Sequence, residues 1–250
     1  MEIKMDGEKI TYSHIISLGF FCSVALETER AGLRDSSMPF DWLISSWKGV
    51  EELIGNSFED FLEYDLLVQN SEQLQQYKNT KYNVQFFHDF NKYESLSKQL
   101  PECSAKYKRR IEKFYENIKK PTLFIRYIET LKELRYIEEN ISKIQELLKK
   151  FNKSNHIIFI ANNEIKSNII EIFNVEKDEN DSVCRKPLEQ NRQLYEYLIN
   201  SYDKKKITHN KSVYEKKQKV NSNVFNKINK KITKLIKKVL FKEYIHTHQF

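Results

Sequence analysis

The stretch "HIISLGFFCSVALETERAG", residues 14–32, decides how the rest of the chain is read. Its first part, His14 to Leu18, is a short apolar run stopped by Gly19, the pattern of a buried strand. In its second part Val24, Ala25, Leu26 and Ala31 recur at helical spacing, and Gly32 stands at a C-cap position. Strand, turn and helix in that order open an α/β protein, with Cys22 in or beside the turn.

The same unit recurs downstream. "YNVQFFHDF", residues 82–90, reads as a second strand with His88 and Asp89 at its C-terminal end. A helix follows over 104–119, with Tyr107, Ile111, Phe114 and Ile118 on one face. Pro121 then precedes a third strand, "TLFIRYI", residues 122–128. Residues 133–151 repeat the helical period through Ile137, Ile141, Ile144 and Leu148, and "HIIFIAN", residues 156–162, is a fourth strand. "NEIKSNIIEIFN", residues 163–174, reads as one more helix. Between the first two units, Ser46 caps a helix through Asn56, and Ser57 caps a short one through Tyr64.

The strands are continuous apolar runs, as expected when both faces of a sheet are covered. With only 5 Gly and 4 Pro in 250 residues, the chain is too poor in turn formers for a β-sandwich. The expected fold is therefore α/β: a mostly parallel sheet of at least four strands with covering helices, plus a basic amphipathic C-terminal helix.

Charge divides the chain in two. Residues 203–250 hold 14 lysines against three acidic residues, a net of +11, so the remainder of the +7 total is −4 for residues 1–202. This predicts a catalytic-type α/β domain over 1–202 and a basic extension over 203–250. Within the extension, residues 224–241 place Phe225, Ile228, Ile232, Leu235, Ile236 and Val239 on one face, with lysines on the other. An anionic membrane surface is the expected partner of this segment. Nucleic acid is the competing anion, and packing on the chain's own domain is the third alternative.

The N-terminus is charged and lacks the apolar core of a signal peptide, and no run of about 18 apolar residues occurs. The three cysteines, Cys22, Cys103 and Cys184, form no CxxC pair. A cytoplasmic, reduced protein is expected, placed peripherally at the inner face of the membrane if the tail binds there. No zinc, nucleotide or protease motif is present, so no cofactor and no metal is expected. His246 and His248 in the tail are too few to make a metal centre.

In parallel sheets, sites form outside the carboxyl ends of the strands. That rule gathers Gly19 to Cys22, His88 with Asp89, Arg126 or Glu129, and Asn162 with Asn163. A thiol at a helix start is activated by the free N–H groups there, and a histidine near it completes a nucleophile–base pair. The plainer reading makes Cys22 a small apolar residue beside Phe20 and Phe21, and His88 a structural histidine. If the strand continues, Asp89 points to the face opposite His88, which leaves Asp41 or Asn162 to orient the ring. "SMPFDWLIS", residues 37–45, is a buried corner or a pocket wall around Asp41. Arg126, inside an apolar strand, pairs with an acid or binds an anionic substrate.

The segments SLGxxC at 17–22, PFDWL at 39–43 and HDF at 88–90, in that order, resemble a bacterial family of unknown function, DUF1796, which carries a papain-like cysteine peptidase label. The resemblance spans roughly residues 12–175. It implies a thiol hydrolase, peptidase or acyl-transfer enzyme with Cys22 as nucleophile, His88 as base and Asp89, Asp41 or Asn162 as the orienting residue. Asp41, Arg126 and Asn162 are the expected substrate contacts, for a peptide, acyl or glycan substrate. Similar genes lie among those for surface polysaccharides, which implies the alternative of a glycosyltransferase-like enzyme in which Cys22 only packs. A non-enzymatic, membrane-associated module is the third reading.

Overall fold

A computed structural model describes residues 10–179, 181 and 183–222. The chain runs β1 (His14–Ser17), α1 (Ser23–Arg30), β2 (Leu43–Ser45), α2 (Trp47–Gly55), β3 (Leu67–Gln69), β4 (Tyr77–Asn79), β5 (Val84–Phe86), α3 (Leu96–Asn117), β6 (Thr122–Ile128), α4 (Leu131–Lys149), β7 (His156–Asn162), β8 (Ile172–Val175), α5 (Pro187–Gln190) and α6 (Arg192–Ser201). A final helical stretch occupies residues 204–222.

The α/β class holds. One sheet has the order β1-β6-β7-β8, and every pair in it is parallel. All seven residues of β6 are buried, as expected of a central strand covered on both sides. Its side chains alternate between two cores. Phe124 and Ile128 join one cluster with α2, α3 and α4, while Leu123, Ile125 and Tyr127 join another with α1 and α6.

Three local expectations give way. The strand expected over 82–90 shrinks to β5 and leaves the parallel sheet. It lies in a second, antiparallel sheet of order β2-β5-β4-β3. That sheet's apolar face, with Leu43, Tyr77, Val84 and Phe86, closes over α3 as part of the same core. Sequence period alone does not say which sheet an apolar run joins.

The helix expected over 163–174 does not form. The Asn162 carboxamide accepts the Glu164 N–H at 3.0 Å, and the Asn174 carboxamide donates to the carbonyls of Asn162 and Ile165. These bonds hold a loop in place of a helix, and Ile172 to Val175 pair with β7 as the edge strand. Nor does Ser57 cap a helix. Ser57, Phe58 and Asp60 all have positive φ in a run of turns that sends Phe58 and Phe61 into the core. The Asn79 carboxamide ties that run down through the carbonyls of Asp60 and Phe61.

The basic extension begins against the domain. Lys206 donates to the Ser13 carbonyl at 2.8 Å, the Asn210 carboxamide donates to the Gly32 carbonyl, and Ile207 is buried. The amphipathic segment 224–241, with His246 and His248, lies outside the described residues. Among the described residues no helix is long and apolar enough to cross a membrane.

Candidate functional site

Gly19 makes the turn after β1. Its φ of +84° suits glycine, and a Cβ there would fall 2.6 Å from Ser45 Oγ and 2.9 Å from Arg126 Nη1. The next residues are tied to both sheets, since Ser45 N–H donates to the Phe20 carbonyl and Tyr127 N–H to the Gly19 carbonyl. Cys22 follows at the N-cap of α1, outside the carboxyl end of β1.

The Cys22 thiol is half-buried, whereas Cys103 and Cys184 are closed off from solvent. Its side chain makes no capping bond, so the N–H groups of the first helical turn are not spent on it. Burial pushes its pKa up, and the Arg185 guanidinium opposes that push. Its surroundings are aromatic. The Phe20 and Phe21 rings meet at a tilt, 5.7 Å between centres, and Phe21 meets Tyr127 edge-on at 5.9 Å. The Tyr127 hydroxyl accepts the Cys184 N–H at 3.0 Å.

Arg126 stands on the other face of β6 and is fully buried. Its guanidinium donates to Glu133 at 2.7 Å, to the Leu18 carbonyl at 2.7 Å, to Ser45 Oγ at 2.9 Å and to the Ser45 carbonyl at 2.6 Å. Burial lowers its pKa and raises that of Glu133, while each charge opposes the shift of the other. Arg126 thus joins β1, β2 and α4, and its donors are taken by protein acceptors.

Asp41, His88 and Asp89 come together elsewhere. Asp41 is buried, bonded to Arg34 and to the Met38 N–H at 2.8 Å. Burial raises its pKa against the opposing pull of Arg34. The Arg34 guanidinium also pairs with Glu29 and lies 5.6 Å from the centre of the Trp42 ring. His88, exposed, meets Trp42 edge-on at 6.2 Å between ring centres. Asp89 is held by Lys106 and by the Tyr107 hydroxyl at 2.9 Å. Arg110 covers the Tyr107 ring at 5.1 Å, and burial together with Asp89 pushes the Cys103 thiol up to about 12. The PFDW and HDF segments therefore meet in one charged cluster, closed by arginines and a lysine that the sequence reading did not single out. The signal for them was physical: buried carboxylates need cationic partners.

This cluster is not beside Cys22. Cys22 starts α1, and Arg34 lies past its far end, so eight helical residues, about 12 Å, separate them. The antiparallel register agrees. Val84 lies opposite Ser45 near Phe20, and the chain then runs away through Phe86, opposite Leu43, toward His88. The structure brings Asp41, His88 and Asp89 into one neighbourhood, and among the described residues no hydrogen bond, ion pair or ring contact joins Cys22 to His88. Asn162 ends β7, nearly buried, with its carboxamide oxygen spent on the Glu164 N–H.

A family model described as "Putative papain-like cysteine peptidase (DUF1796)" matches residues 13–165. The chain is 28% identical over 155 residues to "Uncharacterized protein R408" of Acanthamoeba polyphaga mimivirus, covering 53% of this chain and 69% of that protein. No solved structure matches it significantly.

Proposed function

Because the chain belongs to the DUF1796 family, we propose that it is a thiol-dependent hydrolase or acyl-transfer enzyme with Cys22 as nucleophile. The observation that supports this reading is exposure at the right place. Cys22 is the half-exposed cysteine of the three, and it sits at a helix N-cap outside the carboxyl end of a parallel strand. In the proposed reaction the thiolate attacks an acyl carbonyl, and unspent N–H groups of the first turn of α1 receive the developing oxyanion. The leaving group takes up a proton, and water or a second acceptor releases the acyl group from sulfur.

A papain-like scheme adds His88 as the proton acceptor with Asp89 behind it. His88 rests on Trp42, so this scheme requires the segment after β5 to leave that ring and approach Cys22. Iodoacetamide labelling of Cys22 across pH tests it. A reactivity step near neutral pH that disappears in His88→Ala supports the pair, and identical profiles for the two proteins remove His88 as base. Hydrolysis of activated esters and thioesters tests the wider reading: a Cys22→Ala protein that keeps full turnover would falsify it. That result would favour the glycan-modifying alternative with Cys22 as packing.

A further inference from the structure

A cleft of about 510 Å³ opens beside Phe20, on the second-sheet side of Arg126 and away from the PFDW–HDF cluster. Its size falls within the range of small-molecule sites, about 300–1,000 Å³. Lysines enter it from separate elements: Lys48 from α2, Lys78 from β4, Lys81 from the β4–β5 turn and Lys132 from α4. α2, which carries Lys48, sits close against the β4–β5 turn, which carries Lys81. Gly49 lies so near the Tyr82 carbonyl that a Cβ would fall 1.9 Å from that oxygen.

Three glutamates also border the cleft, Glu52, Glu129 and Glu133. The Glu133 carboxylate is already balanced by Arg126, and Glu52 lies 3.9 Å from Lys48. Lys81 is engaged by Asp60 at 2.9 Å. Lys78 and Lys132 have no ion-pair partner among the described residues, whereas Lys48 and Lys81 each face a carboxylate.

Two helix starts add donors. Ser46 caps α2 by accepting the Gly49 N–H, and Thr130 caps α4 by accepting the Glu133 N–H, which leaves other first-turn N–H groups of both helices without intrahelical acceptors. Trp47 borders the same cleft almost fully buried, and its indole N–H has no acceptor among the described residues. Phe20, Ile44 and Tyr136 line the cleft as a half-exposed, mostly apolar wall, and Ile44 lies in the same row of the antiparallel sheet as Lys78. A small anion alone would leave that wall unused.

We propose that this cleft binds an organic phosphate, its phosphoryl groups held by Lys78, Lys132 and the start of α2 and its organic body against Phe20, Ile44 and Tyr136. The site does not depend on the reactivity of Cys22, and its test is a binding measurement, so the two ideas fail separately.

Titration calorimetry on the full chain with UDP, inorganic pyrophosphate and uridine tests it. UDP and pyrophosphate bind, UDP more tightly, and uridine does not. Lys78→Gln with Lys132→Gln weakens UDP by about tenfold without lowering the melting temperature of the free protein. Lys237→Gln with Lys238→Gln, in the basic tail, leaves UDP binding unchanged. The proposal is overturned if UDP shows no binding at millimolar concentration, if the Lys78/Lys132 variant binds as well as the parent, or if the tail variant loses binding instead.

Discussion

Arg126→Met asks whether this buried guanidinium is a strut. The substitution keeps most of the side-chain volume and removes every donor. It leaves the Leu18 carbonyl, the Ser45 carbonyl and the Ser45 hydroxyl without their Arg126 bonds, and the Glu133 carboxylate without its cation. Breaking a buried ion pair from one side costs about 3–5 kcal/mol. That is a large part of the about 5–15 kcal/mol that holds a typical domain together. The cost also carries a pH signature. Burial already raises the Glu133 pKa, and losing Arg126 raises it further. A carboxyl whose folded pKa lies above its unfolded value favours the fold while protonated, and that contribution is lost as pH rises through the folded pKa. The deficit of Arg126→Met is therefore smaller at about pH 5 than at about pH 7. Adding Glu133→Gln recovers part of it at the higher pH. Urea unfolding of the four proteins in this cycle, followed by tryptophan fluorescence and far-UV circular dichroism, measures all three effects. A deficit under about 1 kcal/mol, equal at both pH values and untouched by Glu133→Gln, would refute the strut.

Other outcomes follow from the same geometry. Half-exposed Cys22 is alkylated in the native protein, while buried Cys103 and Cys184 label only on unfolding; mass mapping of labelled peptides checks both. Gly49→Ala lowers stability by about 1–3 kcal/mol through the clash with the Tyr82 carbonyl, read by thermal melting. Asp89→Asn leaves Lys106 beside an uncharged group and costs about 1–3 kcal/mol, and a Lys106→Met, Asp89→Asn double variant loses less than the sum of the single changes. Removing residues 203–250 exposes the surface that Ile207 covers and lowers the melting temperature. Sedimentation of the full and shortened chains with anionic liposomes at two salt concentrations tests whether the tail also holds a membrane surface.

The sequence by itself determined the layers. The apolar runs at 14–18, 122–128 and 156–162 were legible as strands because a strand buried on both faces must be apolar throughout, and these are three of the four parallel strands seen. The position of Cys22 between the first strand and its helix was legible for the same reason. Sheet membership was not. "VQF" pairs antiparallel with "LIS" through contacts 39 to 43 residues apart along the chain, and nothing local in either segment names the partner. The edge strand at 172–175 was hidden because its residues suit a helix equally well until β7 offers a free edge. The site separated along the same line. The motifs named the residues, but their distances are long-range quantities. Only the tertiary structure closed Arg34 onto Asp41 past the end of α1 that is far from Cys22, and only it spent Arg126 on the backbone, since a buried cation must find acceptors wherever the fold supplies them.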